Sequence, residues 1–249
     1  MSPLRLFDAN AMVGRWPTEK LAFHDLEGML TTMDRLGIDE ALVWHSLSRF
    51  YDPMEGNRKL MEEIGDHPRL HPCWVLVPPF TSDAGTVEEV MADMRKNGVR
   101  AVKFFPREHG FKLRSWNMGG LLEALERERV PVLLDADQVD PEEVHELCEA
   151  YPGLPVVLGR TGYREMRAIY ALLAGHENFY VDISTFLLYR GLEEVVGKFG
   201  AGRLIFGTGM PIHDPAGAAT KLRYAEVDDE AKEMIAHRNL EGLLERVGT

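Results

Sequence analysis

Eight short apolar, β-branched runs recur along the chain, and after each comes a longer stretch whose apolar residues return at helical spacing. The runs cover residues 4–10, 40–45, 72–77, 100–105, 130–136, 154–159, 179–183 and 203–206. The helical stretches lie near 24–36, 56–65, 87–96, 119–129, 141–150, 164–174, 192–198 and 230–246. Such alternation is the pattern of a parallel α/β protein. Boundary signals agree with it: Asp140-Pro141-Glu142-Glu143 supplies a cap, a first-turn proline and carboxylates at the positive end of a helix dipole. Gly37, Gly65, Gly98 and Gly175 follow the last periodic residue, as helix stops do.

Eight units in 249 residues average about 31 residues each, close to the roughly 250 residues of a typical (β/α)8 barrel. No Pro/Ser/Gly-rich linker or low-complexity tract interrupts the order, so one TIM barrel spanning residues 1–249 is the expected architecture. A doubly wound open sheet would show the same alternation, but its first strand–helix turn would carry a glycine fingerprint. Asn10-Ala11-Met12-Val13-Gly14 is not a G-x-G-x-x-G.

The charge of −12 comes from 40 acidic and 28 basic residues interspersed along the chain. Without a concentrated basic surface, nucleic acid and anionic membrane are excluded as main partners. Cys73 and Cys148 have neither metal-ligand nor redox spacing, which fits a reducing cytoplasm. The N-terminal segment shows no basic stretch followed by an apolar core, and no apolar run approaches the roughly 18 residues of a membrane span. The sequence has no G-x-S-x-G elbow, no H-E-x-x-H and no P-loop, so serine hydrolase, zincin and NTPase chemistries fall away. Homo-oligomer formation stays open.

In a barrel the active site forms where the strands end. The candidate groups are then few: Asn10 and Met12 after the first strand, His45 after the second, Lys103, Phe105 and Arg107 on the fourth and its exit, Asp135 and Asp137 on the fifth, Arg160 after the sixth, Asp182 and Ser184 at the close of the seventh, and Thr208, Gly209 and His213 after the eighth.

Five segments stand out in order along the chain: Phe7-Asp8-Ala9-Asn10-Ala11-Met12, Pro131-Val132-Leu133-Leu134-Asp135, Leu158-Gly159-Arg160-Thr161-Gly162, Phe206-Gly207-Thr208-Gly209-Met210-Pro211 and Asn239-Leu240-Glu241-Gly242-Leu243-Leu244. Their order resembles the amidohydrolase-related (amidohydrolase 2) branch of the metal-dependent hydrolase superfamily, which includes small-acid decarboxylases and lactone hydrolases. The resemblance implies a metal centre built from an H-x-H pair after the first strand, histidines after the fifth and sixth, and an aspartate after the eighth. Those positions fall on Asn10 and Met12, Asp135, Arg160 and Gly209, so none keeps its expected identity. A catalytic zinc needs about three good donors, and here only Asp135 is one. No metal or other cofactor is therefore expected.

The leading expectation is a metal-independent hydrolase or lyase acting on a small anionic molecule that bears a carboxylate. Asp135 or His45 would handle protons. Arg160 and Lys103 would hold the anion, with Asn10, Met12 and His213 contributing to binding. Asp135 and Arg160, on neighbouring strands, would meet as a pair, either holding ligand or plugging the vacated site as a salt bridge. Lys103 would enter the barrel if a partner such as Asp135 meets it, and would otherwise face the helices. The turns at Gly159-Arg160-Thr161-Gly162 and Gly207-Thr208-Gly209 could cradle an anion or serve only as tight turns. Two other readings stand: a non-catalytic ligand-binding or scaffolding descendant, and a metal-dependent hydrolase using Asp8, Asp135, Asp137 and His213.

Overall fold

The computed structural model describes residues 4–80 and 85–248. Residues 1–3, which begin the segment read above for a leader, lie outside them. Eight parallel strands follow one another in chain order around one sheet: β1 (Phe7–Val13), β2 (Glu40–His45), β3 (Leu70–Val75), β4 (Ala101–Phe104), β5 (Val132–Asp135), β6 (Val156–Gly159), β7 (Phe179–Asp182) and β8 (Leu204–Ile205). The segment after β8 returns to β1: the Ala9 N–H donates to the Phe206 carbonyl and the Met12 N–H to the Met210 carbonyl, both at 2.9 Å. The fold is a nearly closed (β/α)8 TIM barrel. Both faces of its strands are covered, which is why they read as apolar runs.

The helices are α1 (Leu26–Leu36), α2 (Leu47–Phe50), α3 (Pro53–Ile64), α4 (Val87–Lys96), α5 (Ser115–Met118), α6 (Leu121–Arg127), α7 (Pro141–Ala150), α8 (Met166–Gly175), α9 (Gly191–Phe199), α10 (Pro215–Tyr224), α11 (Asp229–Glu233) and α12 (Asn239–Glu245). Gly37 closes α1 in the left-handed conformation, with φ of 63°. Gly175 is no stop, because α8 runs through it to a cap at His176. The last helical stretch is not uniform either: a π-helical turn, Met234–Arg238, joins α11 to α12. Helix α10 was not legible as a helix; Asp214-Pro215 looks like a turn, yet the Asp214 carboxylate accepts from the Ala216 N–H and starts it. At α7 the expected signal operates, with the Glu143 carboxylate accepting from the Asp140 N–H at 3.1 Å.

Two apolar layers result. The outer one packs strands against helices. The inner one fills the barrel with Phe7, Leu42, Cys73, Leu133, Val157 and Ile205, and α12 adds Leu240 and Leu243 from below. The first strand starts and ends three residues later than the apolar run suggests, because the segment after β8 keeps pairing with it up to Met12. No described helix is long and apolar enough to cross a membrane.

Candidate active site

A bulge in β1 creates the polar centre of the barrel. The register slips between the pairs Asp8–Ala41 and Ala11–Val43, so Ala9 and Asn10 together face one residue of β2. The Asp8 carboxylate holds this kink by accepting from the Asn10 and Thr208 N–H groups, each at 2.9 Å, and from the Thr208 hydroxyl. Asn10 reaches the strands opposite: its Nδ2 donates to Asp182 Oδ2 at 3.1 Å. Its Oδ1 accepts from Lys103 Nζ at 3.3 Å, and Lys103 Nζ also donates to Asp135 Oδ1 at 2.7 Å. Four buried polar side chains from β1, β4, β5 and β7 thus form one chain, Asp182–Asn10–Lys103–Asp135. The Lys103 ammonium also lies 5.4 Å from the Phe105 ring centre and 5.6 Å from that of Trp44, within cation–π range. Glycines make the room. A Cβ on Gly207 would stand 2.2 Å from Asp182 Oδ1, and one on Gly159 would stand 2.9 Å from Asp182 Oδ2.

The carboxyls of this centre are pushed apart. Burial raises Asp8 to about 6 against its bonds to Thr208 and Asn10. Burial also raises Asp182, against bonds from Ser184 and Asn10. Asp135 is equally buried, but the Lys103 charge and hydrogen bond, with help from Arg160 and Arg49, outweigh that and hold it below the usual carboxylate range.

Several expected partnerships are rearranged. Asp135 and Arg160 do not form the expected pair: Asp135 belongs to Lys103, while Arg160 Nη1 lies 3.6 Å from Asp137 Oδ2. Arg160 lies just beyond the end of β6 in a left-handed conformation, φ 54°, whereas Lys103 of the neighbouring β4 reaches Asp135 directly. Lys103 does enter the barrel. Met12 is packed in the inner apolar layer. His213 folds back over Gly209, where a Cβ would stand 2.8 Å from its Cδ2; burial and then the Arg160 charge push its pKa down. His45 is on the wrong side for a mouth residue. It pairs with Val13 in register and turns outward, its Nδ1 accepting from the Leu47 N–H at 3.0 Å and its Nε2 lying 3.7 Å from Glu63 of α3. The two anion turns are also spent or displaced: the Thr208 N–H serves Asp8, and α8 begins only at Met166, beyond Gly162.

Arg49 is the residue that sequence reasoning missed. It follows β2, is almost wholly buried, and its guanidinium lies 4.8–5.3 Å from the ring centres of Trp16, Phe50 and Phe105. It bonds Glu108 at 3.0 Å and approaches Asp137 at 3.6 Å. The run Ser46-Leu47-Ser48-Arg49-Phe50 supplies only one of the three rings, Phe50; the other two, Trp16 and Phe105, come from the segments after β1 and β4. Among the described residues, Arg49 Nη1, Arg160 Nη1 and His213 Nε2 are buried without a hydrogen-bond partner. Trp16 also borders a cleft of about 1000 Å³ along residues 15–25 and α1. None of Asn10, Lys103, Asp135 and Asp182 lines that cleft.

A family model described as Amidohydro_2, amidohydrolase, matches residues 24–244. The chain belongs to this amidohydrolase family. No curated protein sequence matches it. Solved structures do: 2,6-dihydroxybenzoate decarboxylase from Rhizobium, 14% identical over 97% of this chain and 98% of that one, has a TM-score of 0.78. A dihydroxybenzoic acid decarboxylase from Polaromonas, with bound manganese and 2-nitroresorcinol, is 14% identical over 97% of both chains, with a TM-score of 0.74. A probable 2-pyrone-4,6-dicarboxylic acid hydrolase from Acinetobacter baumannii is 15% identical over 97% of this chain and 99% of that one, with a TM-score of 0.69. These likenesses establish the barrel.

The residues at the positions that the resemblance assigns to metal ligands do not fit a divalent ion. Met12 is a soft donor in an apolar layer, Gly209 has no side chain, and Arg160 is a cation. Asp135, the one good donor, already holds the Lys103 ammonium, which would repel a metal bound beside it. The alternative donors Asp8, Asp135, Asp137 and His213 do not assemble: no group of three or more His, Cys, Asp or Glu among the described residues is placed to hold an ion.

Proposed function

We propose that this amidohydrolase-family barrel is a metal-independent hydrolase or lyase for a small carboxylate-bearing molecule, working by lactone hydrolysis or decarboxylation. The observation that carries this is the Lys103 ammonium bonded to Asn10 and Asp135, two positions the family gives to metal ligands. Both reactions build negative charge next to a carboxylate, on an oxyanion in one case and on carbon conjugated to oxygen in the other. A desolvated ammonium in a preorganised place stabilises either. Arg160, with a buried Nη1 lacking a hydrogen-bond partner, supports a role as anion holder.

The opposed shifts of Asp135 and Asp182 support their assignment as base and acid. In hydrolysis Asp135 takes a proton from the water that attacks the lactone carbonyl, and the ring oxygen leaves with a proton from the acid side. In decarboxylation the C–C bond breaks, CO2 leaves, and the carbon keeps the electron pair and takes a proton. Buried free Cys73 and Cys148 support a cytoplasmic location.

The test is a screen of lactones and aromatic and aliphatic acids for ring opening or CO2 release, on protein stripped with chelator and checked for metal by elemental analysis. Turnover that survives stripping and falls at least a hundredfold in Asp135→Asn is expected. Turnover that requires added zinc or manganese would overturn metal independence. A second reading, a ligand-binding protein without turnover, is favoured by Met12 and Gly209, which supply no chemistry, and by the mutual bond of Lys103 and Asp135. Thermal stabilisation by acids with no product from any of them would select it.

A further inference from the structure

We propose that Asp137 is a built-in occupant of a two-arginine carboxylate subsite, and that a ligand's carboxylate binds by displacing it from between Arg49 and Arg160. This rests on the carboxylate-ligand reading above and adds which side chains receive that group and what competes for them.

One oxygen, Asp137 Oδ2, lies 3.6 Å from Arg49 Nη2 and 3.6 Å from Arg160 Nη1. Charge-assisted N–H···O bonds are about 2.7–2.9 Å long, so Asp137 stands between the two guanidiniums and bonds neither. The rest of the arrangement is a receptor with its donors unspent. Arg49 Nη1 and Arg160 Nη1 are both buried without a hydrogen-bond partner. Arg49 is fixed in place: its Nε and Nη2 bond Glu108 at 3.3 and 3.0 Å, and three aromatic rings surround its guanidinium. Arg160 is held in a left-handed backbone conformation, which non-glycine residues adopt at a cost and which recurs at ligand clamps.

Exposure separates the occupant from its receptor. The side chain of Arg49 is 6% exposed and that of Arg160 22%, whereas that of Asp137 is 43% exposed. The cations are rooted in the barrel mouth and the anion lies at its lip. The backbone there is anchored, because Arg107 Nη1 donates to the Asp137 carbonyl at 2.6 Å, so a rotation of the Asp137 side chain alone clears the gap. A carboxylate entering from solvent can turn one oxygen to each guanidinium. His213 Nε2, also buried without a hydrogen-bond partner, belongs to the same surroundings, since its ring senses the charges of Arg160, Asp135 and Asp137.

The experiment is calorimetric titration of the full chain with benzoate, with benzamide as the neutral counterpart. Asp137→Asn keeps the shape of the occupant and removes its charge; its Kd for benzoate should fall at least fivefold below that of the unaltered protein, with benzamide binding changed less than twofold. Asp140→Asn controls for general electrostatics, because Asp140 lies on the same loop and approaches Arg107, at 3.5 Å, and should shift benzoate binding less than twofold. Arg160→Gln should weaken benzoate at least tenfold, and so should Arg49→Gln if its melting temperature shows it folded. Equal or weaker benzoate binding by Asp137→Asn, while Arg160→Gln is still weakened, would overturn the displacement and leave the carboxylate reading intact. If neither arginine substitution matters, or if Asp137→Asn protein shows no benzoate binding, the carboxylate subsite itself is overturned.

Discussion

Where the strands begin, Phe7, Leu42 and Cys73 pack against Leu240 and Leu243 of α12 in a dry plug. The charges at that end stay outside it as bonded pairs: Arg5 with Glu40 and Glu241, His71 with Glu40, and His237 with Glu241. Where the strands finish, the same barrel interior holds Asn10, Lys103, Asp135 and Asp182, and around them lie arginine and histidine nitrogens with no partner. One end satisfies its groups and buries carbon. The other buries charge and leaves donors unspent, an arrangement costly for stability alone and suited to receiving a ligand. The difference teaches that unspent polar groups and dry apolar packing are divided between the ends of one closed sheet, the division that barrels generally make between site and stability.

The contrast can be broken at its strongest point. Lys103→Met should leave Asp135 as a buried charge without its main partner and cost about 3–5 kcal/mol in urea denaturation. Adding Asp135→Leu should recover most of that loss by making the upper interior as apolar as the lower one. A double variant as unstable as the single one would show that the pair is not what sets the cost.

At the opposite end, Leu243→Ala removes a buried side chain from the plug and should cost about 2–4 kcal/mol. Because the plug lies below the polar centre, this variant should keep the ligand affinity of the unaltered protein at temperatures where it is folded. A parallel loss of affinity, measured by the same titration, would mean the ends are coupled.

One group at each end links stability to pH in a separable window. Burial pushes the Lys221 ammonium, which donates to the Ile183 carbonyl beyond β7, down to about 8. The folded protein therefore binds fewer protons than the unfolded chain between about pH 8 and the ordinary lysine value, and stability should rise with pH across that window by at most about 3 kcal/mol. Lys221→Met should abolish the rise. Below, burial raises Glu40 but its bonds to Arg5 and His71 outweigh this and hold it below the usual range. That contribution is complete above the ordinary carboxyl pKa and is lost as pH falls through the depressed one, so Glu40→Gln should flatten the acid limb of the stability curve.

The smallest effect belongs to His45. His45→Ala removes an acceptor for the Leu47 N–H and should cost about 1 kcal/mol, as loss of a helix-end cap does. Because the ring faces α3, turnover and ligand affinity should be unchanged. A large fall in turnover with stability intact would restore it to the catalytic set.

Much of this architecture is legible in the sequence. Periodicity gives eight strands and the order of the helices between them, because a buried parallel strand and an amphipathic helix leave different apolar spacings. Asn10, Lys103, Asp135, Arg160 and His213 could all be placed near the strand ends by counting. Pairings could not. The bulge at Ala9-Asn10 has no composition signal, yet it decides that Asn10 bridges Asp182 and Lys103. Arg49 escaped because two of the three rings around it, Trp16 and Phe105, are distant in sequence, and His45 misled because one residue of strand parity separates the barrel interior from the helix layer.

The sequence by itself determined the barrel and the order of its strands and helices, since these depend on residue type and spacing. Only the tertiary structure decided that Lys103 rather than Arg160 partners Asp135, and that Arg49 and Arg160 converge on Asp137. The physical reason is that a buried charge takes whichever opposite charge the closed sheet brings within bonding distance, and closure joins strands whose residues lie far apart along the chain.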